Sequence, residues 1–418
     1  MSYKILLTAG TAMLSVLLAA HAQADTAFAH ALATSKPLIE SNLRLENVDQ
    51  AGIANRAEAL TWRNRIGWQT GAFHNWSALV EIEATAAAVE RYNSTVNGKT
   101  AYPTVTDPQV VELHRAQLQW APSKTTSLTI GRQRIILDDA RFVGNSGWRQ
   151  DDQVFDAVRF DTAVGKLNVT TAYLSRIDRV VGDEKDWNSR SYLVNASYPV
   201  SPALKLTGFA YVLRFSTAAT NPVAADATNA RASSVDIAGL RAAGSAVHGK
   251  TTFGYVAQYA SERNGGQNPQ SFRLHESLIE VSAATRLWSG KLNYETLGGN
   301  GTVGFVAPLT SAHAFQGFAD AFSATGGNKT FAAGLNDLNA TIAVNLPHTL
   351  KPVVSVVWHD FRTDVGDAHI GTEWDAVATV QLTPRLSAML KYADFEKGAA
   401  AGAPASRTKT WVALQYKL

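Results

Sequence analysis

The sequence contains no cysteine among its 418 residues. This absence excludes a disulfide framework, a thiolate metal site and a cysteine nucleophile. An excess of one charge is also missing, because 38 basic residues stand against 35 acidic ones and the formal net charge is only +3. Such a balance argues against a nucleic acid as the partner.

Long apolar runs are absent after the N-terminus. Residues 1–24 combine Lys4, an apolar run over 5–20 and the small residues Ala22 and Ala24, a pattern typical of a cleaved secretory signal peptide. The alternative, a membrane-anchoring helix, would need a longer apolar run. No Pro- or Ser-rich hinge interrupts the remaining chain. We therefore predict a periplasmic segment at 25–37 and one domain over 38–418.

Catalytic and metal-binding motifs are also lacking. A GxGxxG match at 299–304 has no βαβ unit around it, and Ser146 lacks the spacing of a GxSxG elbow. The four aspartates between 138 and 152 show no ordered calcium-ligand spacing. A Ser/His/Asp triad that converges only in space stays open. We predict no enzyme, no cofactor and no metal.

Alternation of apolar and polar residues recurs from about residue 38 to the end of the chain, and it predicts 18 strands. The connections alternate between short turns and long polar loops, which is typical of a transmembrane antiparallel up-and-down β-barrel of the bacterial outer membrane. Aromatic residues at the short-turn ends fit a membrane interface better than the core of a soluble β-sandwich. They are Trp68, Trp76, Trp120, Tyr198 and Trp288.

The segment 131–160 carries the most specific signature. It contains GRQ at 131–133, RF at 141–142, GWRQ at 147–150 and QVFD at 153–156, and a second patch, HAFQGFAD, lies at 313–320. Together these motifs resemble the outer-membrane alginate-export family. The resemblance implies an 18-stranded channel, whose better-known members pass an anionic polysaccharide through an arginine-lined pore.

Strand parity predicts which side chains face the lumen, because the apolar parity marks the lipid face. One interpretation is an electropositive path that attracts anions. The other is a ladder of structural ion pairs in which Arg63 or Arg65 pairs with Glu81 or Glu83. The predicted pore-lining residues are Arg44, Glu46, Arg63, Arg65, Glu81, Glu83, Arg115, Arg159, Lys205, Glu280, Glu373, Asp375 and Lys391.

Two arginines break this parity. Arg132 and Arg134 share the parity of the apolar Leu128 and Ile130, so a regular strand would place them in lipid. A charge there costs roughly 2–4 kcal/mol near the bilayer midplane. We therefore expect a β-bulge after Gly131 that turns both arginines inward.

Two long loops are candidates for narrowing the pore. The loop 138–152 is long enough to fold into the mouth, where Arg141, Trp148 and Arg149 would constrict it. Alternatively, its aspartates pair with those arginines and cap the barrel wall. The loop 300–333 is expected to carry a short helix over 312–322, as a plug or a surface cover.

The leading functional hypothesis is an outer-membrane channel for passive diffusion of small anionic or saccharide solutes. The alternatives are an exporter of an alginate-like polysaccharide with periplasmic partners, a barrel enzyme such as a lipid hydrolase, and a plugged receptor. The C-terminal strand resembles those that the barrel-assembly machinery reads. The expected partners are therefore outer-membrane lipid, the solute and this machinery, with no nucleic acid. Resemblance implies a monomer.

Overall fold

The computed structural model describes residues 26–217, 224–322, 328–329 and 331–418. The predicted signal peptide at 1–24 lies outside these residues. No helix in the described part is long and apolar enough to cross a membrane.

Eighteen antiparallel strands form one closed barrel, so the predicted fold and strand number are confirmed. Closure occurs where β18 pairs with β1, for example at Leu414 and Leu43. The strands are β1 Lys36–Gln50, β2 Ala57–Gln69, β3 Trp76–Arg91, β4 Val110–Ser123, β5 Thr126–Gln133, β6 Val154–Val164, β7 Leu167–Asp178, β8 Trp187–Ser201, β9 Leu204–Val212 (continued by Phe215–Thr217), β10 Val235–His248, β11 Thr251–Asn264, β12 Arg273–Ala284, β13 Trp288–Leu297, β14 Leu335–Asn345, β15 Val353–Arg362, β16 His369–Thr383, β17 Leu386–Lys397 and β18 Arg407–Lys417.

The outer face of the wall is apolar and the inner face is polar, as the alternation predicts. Leu43 is 42% exposed on the outside, whereas its neighbour Arg44 is 1% exposed on the inside. Trp68 and Trp288 are exposed at the short-turn ends of β2 and β13. An indole at this level keeps its ring in an apolar region while its N–H reaches water.

Short helical segments precede β1 or lie between strands of the wall. Helix α1, Thr26–Ala33, packs against the first short turn, where the Gly71 N–H donates to the Ala31 carbonyl at 3.0 Å. Helix α2, Ala224–Ala232, lies between β9 and β10. The expected helix over 312–322 is wrong, because only the single turn Ala312–Ala314 is helical there.

Two long connections fold into the barrel. We call residues 134–153, between β5 and β6, the first inner loop, and residues 298–322 and 331–334, between β13 and β14, the second inner loop. Apolar side chains from both loops pack against inward-facing wall residues. The Phe142 ring lies 5.2 Å from Phe209 of β9 and 6.1 Å from Phe305 of the second inner loop. Part of the lumen is therefore a packed core.

The position of the bulge near Gly131 differs from expectation. The β5 residues Gly131 and Arg132 pair with β6 in continuous register, and Arg132 stays on the outer face opposite Asp156. The bulge lies in β4 instead, where His114 is an extra residue between two pairs with β3. A bulge after Gly131 is therefore wrong. Contacts with Asp156 and Asp178 neutralise Arg132.

The lipid face predicts how a charge changes stability. Leu240 is 72% exposed at the middle of β10, and Ala246 lies on the same face beside the short turn. We expect Leu240→Lys to lower the free energy of unfolding by about 2–4 kcal/mol and Ala246→Lys by about 0–1 kcal/mol, because the cost of a charge decreases toward the interface.

Urea unfolding in phospholipid vesicles, followed by tryptophan fluorescence, measures both costs. Leu240→Ala serves as the control for loss of the leucine side chain alone. Equal costs for the two lysine variants would contradict the placement of Leu240 in the hydrocarbon layer.

Candidate functional site

An ion-pair ladder covers the inner face of β2–β4. Arg65 pairs with Glu83, its partner in the β2–β3 register. Arg115 donates two hydrogen bonds of 2.8 Å to the carboxylate of Glu81. The register thus brings together one of the predicted pairs between β2 and β3, whereas Glu81 pairs with β4. Cross-strand pairs of opposite charge stabilise a sheet.

The ladder continues on β1 and is buried. Arg63 pairs with Glu40, and Arg44 pairs with Asp107 of the β3–β4 loop. Arg44, Arg63 and Glu46 are at most 1% exposed. A buried charge without a partner costs several kcal/mol, so these pairs hold the wall together. In this structure the three residues do not face open water.

The first inner loop is what covers them. Arg44 donates to the backbone carbonyl of Trp148, and Arg65 pairs with Asp152. Gln150 is buried against the same wall, and its side-chain amide donates to the Thr61 hydroxyl of β2 at 2.8 Å. Burial by itself would raise the pKa of Asp152, but Arg65 and the other nearby positive groups outweigh burial and hold this pKa below its usual range. Asp152 is therefore an ionised partner that fixes the loop to the wall.

The first inner loop also reaches across the lumen. Arg141 pairs with Glu295 of β13, a strand eight positions from β5 in the ring of 18. The same guanidinium lies 4.7 Å above the ring of Phe315 in the second inner loop. The Gly144 N–H donates to the Leu309 carbonyl at 2.8 Å. The two inner loops are thus joined to each other and to opposite walls.

Aromatic and charged groups stack at the centre. The rings of Trp148 and His313 are parallel, with centroids 4.2 Å apart. Burial lowers the pKa of His313 well below its usual range, so the ring is neutral. Its Nδ1 then donates to Asp320 at 2.8 Å, and its Nε2 accepts from Lys391 at 2.6 Å. The Lys391 ammonium also lies 3.3 Å from the Phe318 ring centroid, a cation–π contact.

Asp320 connects both loops to the wall. It accepts from Arg149 at 2.7 Å and from Lys409 of β18 at 2.8 Å. Burial alone would raise the pKa of Asp320, but His313, Lys409 and Arg149 hold it well below its usual range. The three predicted constriction residues of the first inner loop therefore all lie within the lumen. Their role in limiting flow stays a prediction.

Two wall acids on β16 hold the second inner loop. Glu373 accepts from the Ala319 N–H at 2.6 Å, and Asp375 accepts from the Phe318 N–H at 3.0 Å. Gly317 has a φ of +82°, and a Cβ there would come within 2.4 Å of the Glu373 carboxylate. Glycine is therefore required at this close approach. These acids act as acceptors for the loop backbone.

Four of the thirteen predicted pore-lining residues keep contact with water. Arg115 and Arg159 are half-buried, and Arg159 pairs with its strand neighbour Asp161 at 2.8 Å. Lys205 is exposed near a short turn, and the half-buried Glu280 lies 3.3 Å from Lys291. The other nine are buried beneath the two inner loops.

A cavity of about 450 Å³ remains between the inner loops and the wall from β10 to β15. Its lining contains charged groups of both signs, hydroxyl and amide groups, and the aromatic rings of Phe315 and Phe318. Arg241 pairs with Asp139 at 2.8 Å, and His359 pairs with Asp337 at 2.9 Å. The lining includes Asp139, Arg241, Glu280, Lys291, Asn293, Glu295, Phe315, Phe318, Asp337, Asn339, Thr341, Ser355 and His359.

Sequence reasoning missed most of this lining. On β10 the buried Val235 and Ile237 face inward and the exposed Leu240 faces outward, so apolar residues occupy both faces and hide the parity of Arg241. Only the β9–β10 and β10–β11 registers identify the inward side. Parity predicted Glu280 as an inward residue, whereas its contact with Lys291 follows only from the register of β12 and β13.

Comparison with known proteins gives a family and a fold. The family model described as alginate export matches residues 39–284, more than half of the chain. No curated protein sequence matches.

Solved outer-membrane barrels superpose over nearly the whole molecule. OccAB4 of Acinetobacter baumannii has a TM-score of 0.69 at 10% identity, over 92% of this chain and 98% of that one. OpdK of Pseudomonas aeruginosa with vanillate has 0.69 at 11%, over 93% and 99%. OccK3 (OpdO) of the same organism has 0.68 at 12%, over 93% and 97%. At these identities the likeness shows the fold.

The ion pair between Arg141 and Glu295 across the lumen can be tested by removing the Arg141 side chain. We expect Arg141→Ala to leave the Glu295 carboxylate buried without its ion-pair partner, and removal of one member of a buried pair costs about 3–5 kcal/mol. Residues 134–153 should then exchange amide hydrogens faster, which hydrogen–deuterium exchange with mass spectrometry measures by segment.

Arg91→Ala is the matched control, because Arg91 pairs with Glu58 at an exposed site, where a pair contributes about 0–1 kcal/mol. Unchanged exchange in residues 134–153 of Arg141→Ala would show that this pair does not hold the loop.

Proposed function

Because this chain belongs to the alginate-export family and is an outer-membrane β-barrel of the porin type, we propose that it conducts small anionic or saccharide solutes by passive diffusion. The supporting observation is the polar cavity of about 450 Å³ beside the joined inner loops. Pockets of roughly 300–1,000 Å³ are typical of small-molecule sites.

The cavity lining fits hydrogen-bonding solutes. Asn293, Asn339 and Thr341 offer neutral donors and acceptors, while Phe315 and Phe318 offer flat apolar faces. Saccharide rings present both hydroxyl groups and apolar C–H faces, so they match such a lining. The charges occur in opposite pairs, which predicts weak ion selectivity and supports the structural interpretation of the arginine ladder. OpdK, whose structure is similar to this chain, was solved with vanillate, an aromatic carboxylate.

Export of an alginate-like polysaccharide is the second candidate, and the family description favours it. A polymer needs a continuous path, whereas the inner loops are bonded across the lumen at Gly144 and Leu309. Export would therefore require both loops to move, in a complex with periplasmic partners.

A catalytic role is not proposed. The His–Asp pair at the centre of the lumen is His313 with Asp320, and the other ring nitrogen of His313 lies on the Lys391 ammonium rather than on a hydroxyl nucleophile. This histidine is thus not placed to deprotonate a serine. The proposed partners are outer-membrane lipid, the solute and, during biogenesis, the barrel-assembly machinery, with the chain acting as a monomer.

A bulky side chain in the cavity tests the path. Thr341 lines the cavity, whereas its neighbour Ile342 is exposed on the lipid face. We expect Thr341→Trp to reduce single-channel conductance in a planar bilayer several-fold by narrowing the path, and Ile342→Trp to leave it unchanged. Swelling of liposomes in monosaccharide solutions should slow in the same order.

The outcomes separate the candidates. Equal conductance of the two variants would place the path elsewhere in the barrel. A wild-type protein without conductance would indicate a plugged receptor, and entry of long oligosaccharides at the monosaccharide rate would favour polysaccharide export.

A further inference from the structure

The barrel wall is split where β5 ends. Pairing of β4 with β5 stops at Ala116 and Arg132, so residues 110–115 of β4 are paired with β3 alone. The chain beyond β5 enters the lumen as the first inner loop. One cross-link in the split is a hydrogen bond of 3.0 Å from Arg132 to the Leu113 carbonyl.

Three carboxylates converge in this split from three separate elements. Glu112 belongs to β4, Asp178 ends β7, and Asp183 lies in the β7–β8 loop. One oxygen of each carboxylate lies within 4.8 Å of one oxygen of each of the others. Elements that are far apart in the sequence thus present acidic oxygens to one point.

Glu112 lacks the partners that a buried acid needs. Glu112 is 8% exposed, and neither of its carboxylate oxygens accepts from an N–H group or a hydroxyl group of the described residues, since its one side-chain neighbour there is another acid, Asp151. Asp178 is fully buried, and the one cation that pairs with it among the described residues is Arg132, which it shares with Asp156. An uncompensated buried carboxylate costs several kcal/mol, so a positive charge is expected here.

The nearby arginines are already engaged with other acids. Arg176 lies 2.7 Å from Asp186 and 3.5 Å from Asp183. The buried carboxylate of Asp151 also stands against Glu112 and accepts from the Gly182 N–H at 3.2 Å. Among the residues that the structure describes, acidic groups therefore outnumber the two guanidinium groups of Arg132 and Arg176 at the split.

We propose that Glu112, Asp178 and Asp183 bind one divalent cation, with calcium favoured by the all-oxygen ligand set. Calcium–oxygen distances are about 2.3–2.6 Å, so two oxygens on the same ion lie at most about 5 Å apart. The observed separations meet this limit. Water completes the coordination shell.

An ion can reach this point from outside the barrel. A cavity of about 670 Å³ opens on the outer surface, and Glu112, Asp183 and the exposed Val111 and Leu113 line it. It lies at the long-loop end, where a barrel wall meets water and lipid headgroups. The cation would connect β4 to the β7–β8 loop across the split, beside the Asp151 end of the first inner loop.

Calcium binding tests the proposal independently of conductance. The protein is refolded from denaturant into lipopolysaccharide-free detergent micelles, treated with EDTA, dialysed and titrated with calcium chloride by calorimetry. We expect about one calcium per chain, and binding at least about tenfold weaker in Glu112→Gln and Asp183→Asn. Calcium should also raise the unfolding temperature of the wild type but not of these variants.

The controls are Glu58→Gln and Asp49→Asn, which change acids paired with exposed arginines elsewhere at the long-loop end. Both should bind calcium like the wild type. Asp183 has a 60% exposed side chain, so Asp183→Asn remains informative even where Glu112→Gln fails to fold.

Absence of calcium binding by the wild type, or equal binding by Asp183→Asn, would overturn the assignment. Loss of binding in Glu83→Gln with retention in Asp183→Asn would also overturn it. That result would place the ion at the neighbouring group of Glu83, Glu112 and His114.

Discussion

Lipid offers no hydrogen bonds to a peptide backbone, so the sheet has to close, and closure of 18 strands encloses a wide interior. The two inner loops fill part of this interior, and the ion pairs of the wall are arranged around them. The inward charges of β1–β4 leave water when the first inner loop folds over them, and each then requires a partner. Arg65 illustrates the consequence, because it contacts Glu83 of the wall and Asp152 of the loop together. The ion pairs of the wall and the position of the first inner loop therefore depend on each other.

The charges in this barrel mainly position backbone. Glu373 and Asp375 accept from N–H groups of the second inner loop, and Asp320 gathers Arg149 and Lys409 at the centre. Charge-assisted hydrogen bonds of this kind are stronger than neutral ones and set direction. Charges of opposite sign are paired along the wall, as in Arg65 with Glu83 and Arg115 with Glu81. The proposed conduction path therefore rests on the size and the hydrogen-bonding groups of the remaining cavity.

The strand number and the closed fold were predictable from the sequence, because apolar alternation and loop length report on each strand separately. The lumen was less predictable. Parity identified the inward side of Arg44 and Glu83, but whether an inward residue meets water depends on where the loops fold, and loop folding involves contacts such as Arg141 with Glu295. The bulge at His114 was missed because it lies in the strand paired to the one with the irregular pattern. The convergence of Glu112 with Asp178 joins positions 66 residues apart and needs the sheet register.

The split in the wall and the crossing of the lumen have one origin. A strand that sends its continuation inward after Gln133 can no longer pair with its neighbour, so the first inner loop removes a partner from β4. Unpaired strand edges are unstable in a barrel and have to be covered. Arg132 lies on the outer face and covers the unpaired edge of β4 by donating to the Leu113 carbonyl. It also donates to Asp156 and so connects this edge to β6. The outward position of Arg132, opposite to the expected one, therefore follows from the end of β4–β5 pairing. The acids around Arg132 neutralise the charge that is placed at this gap.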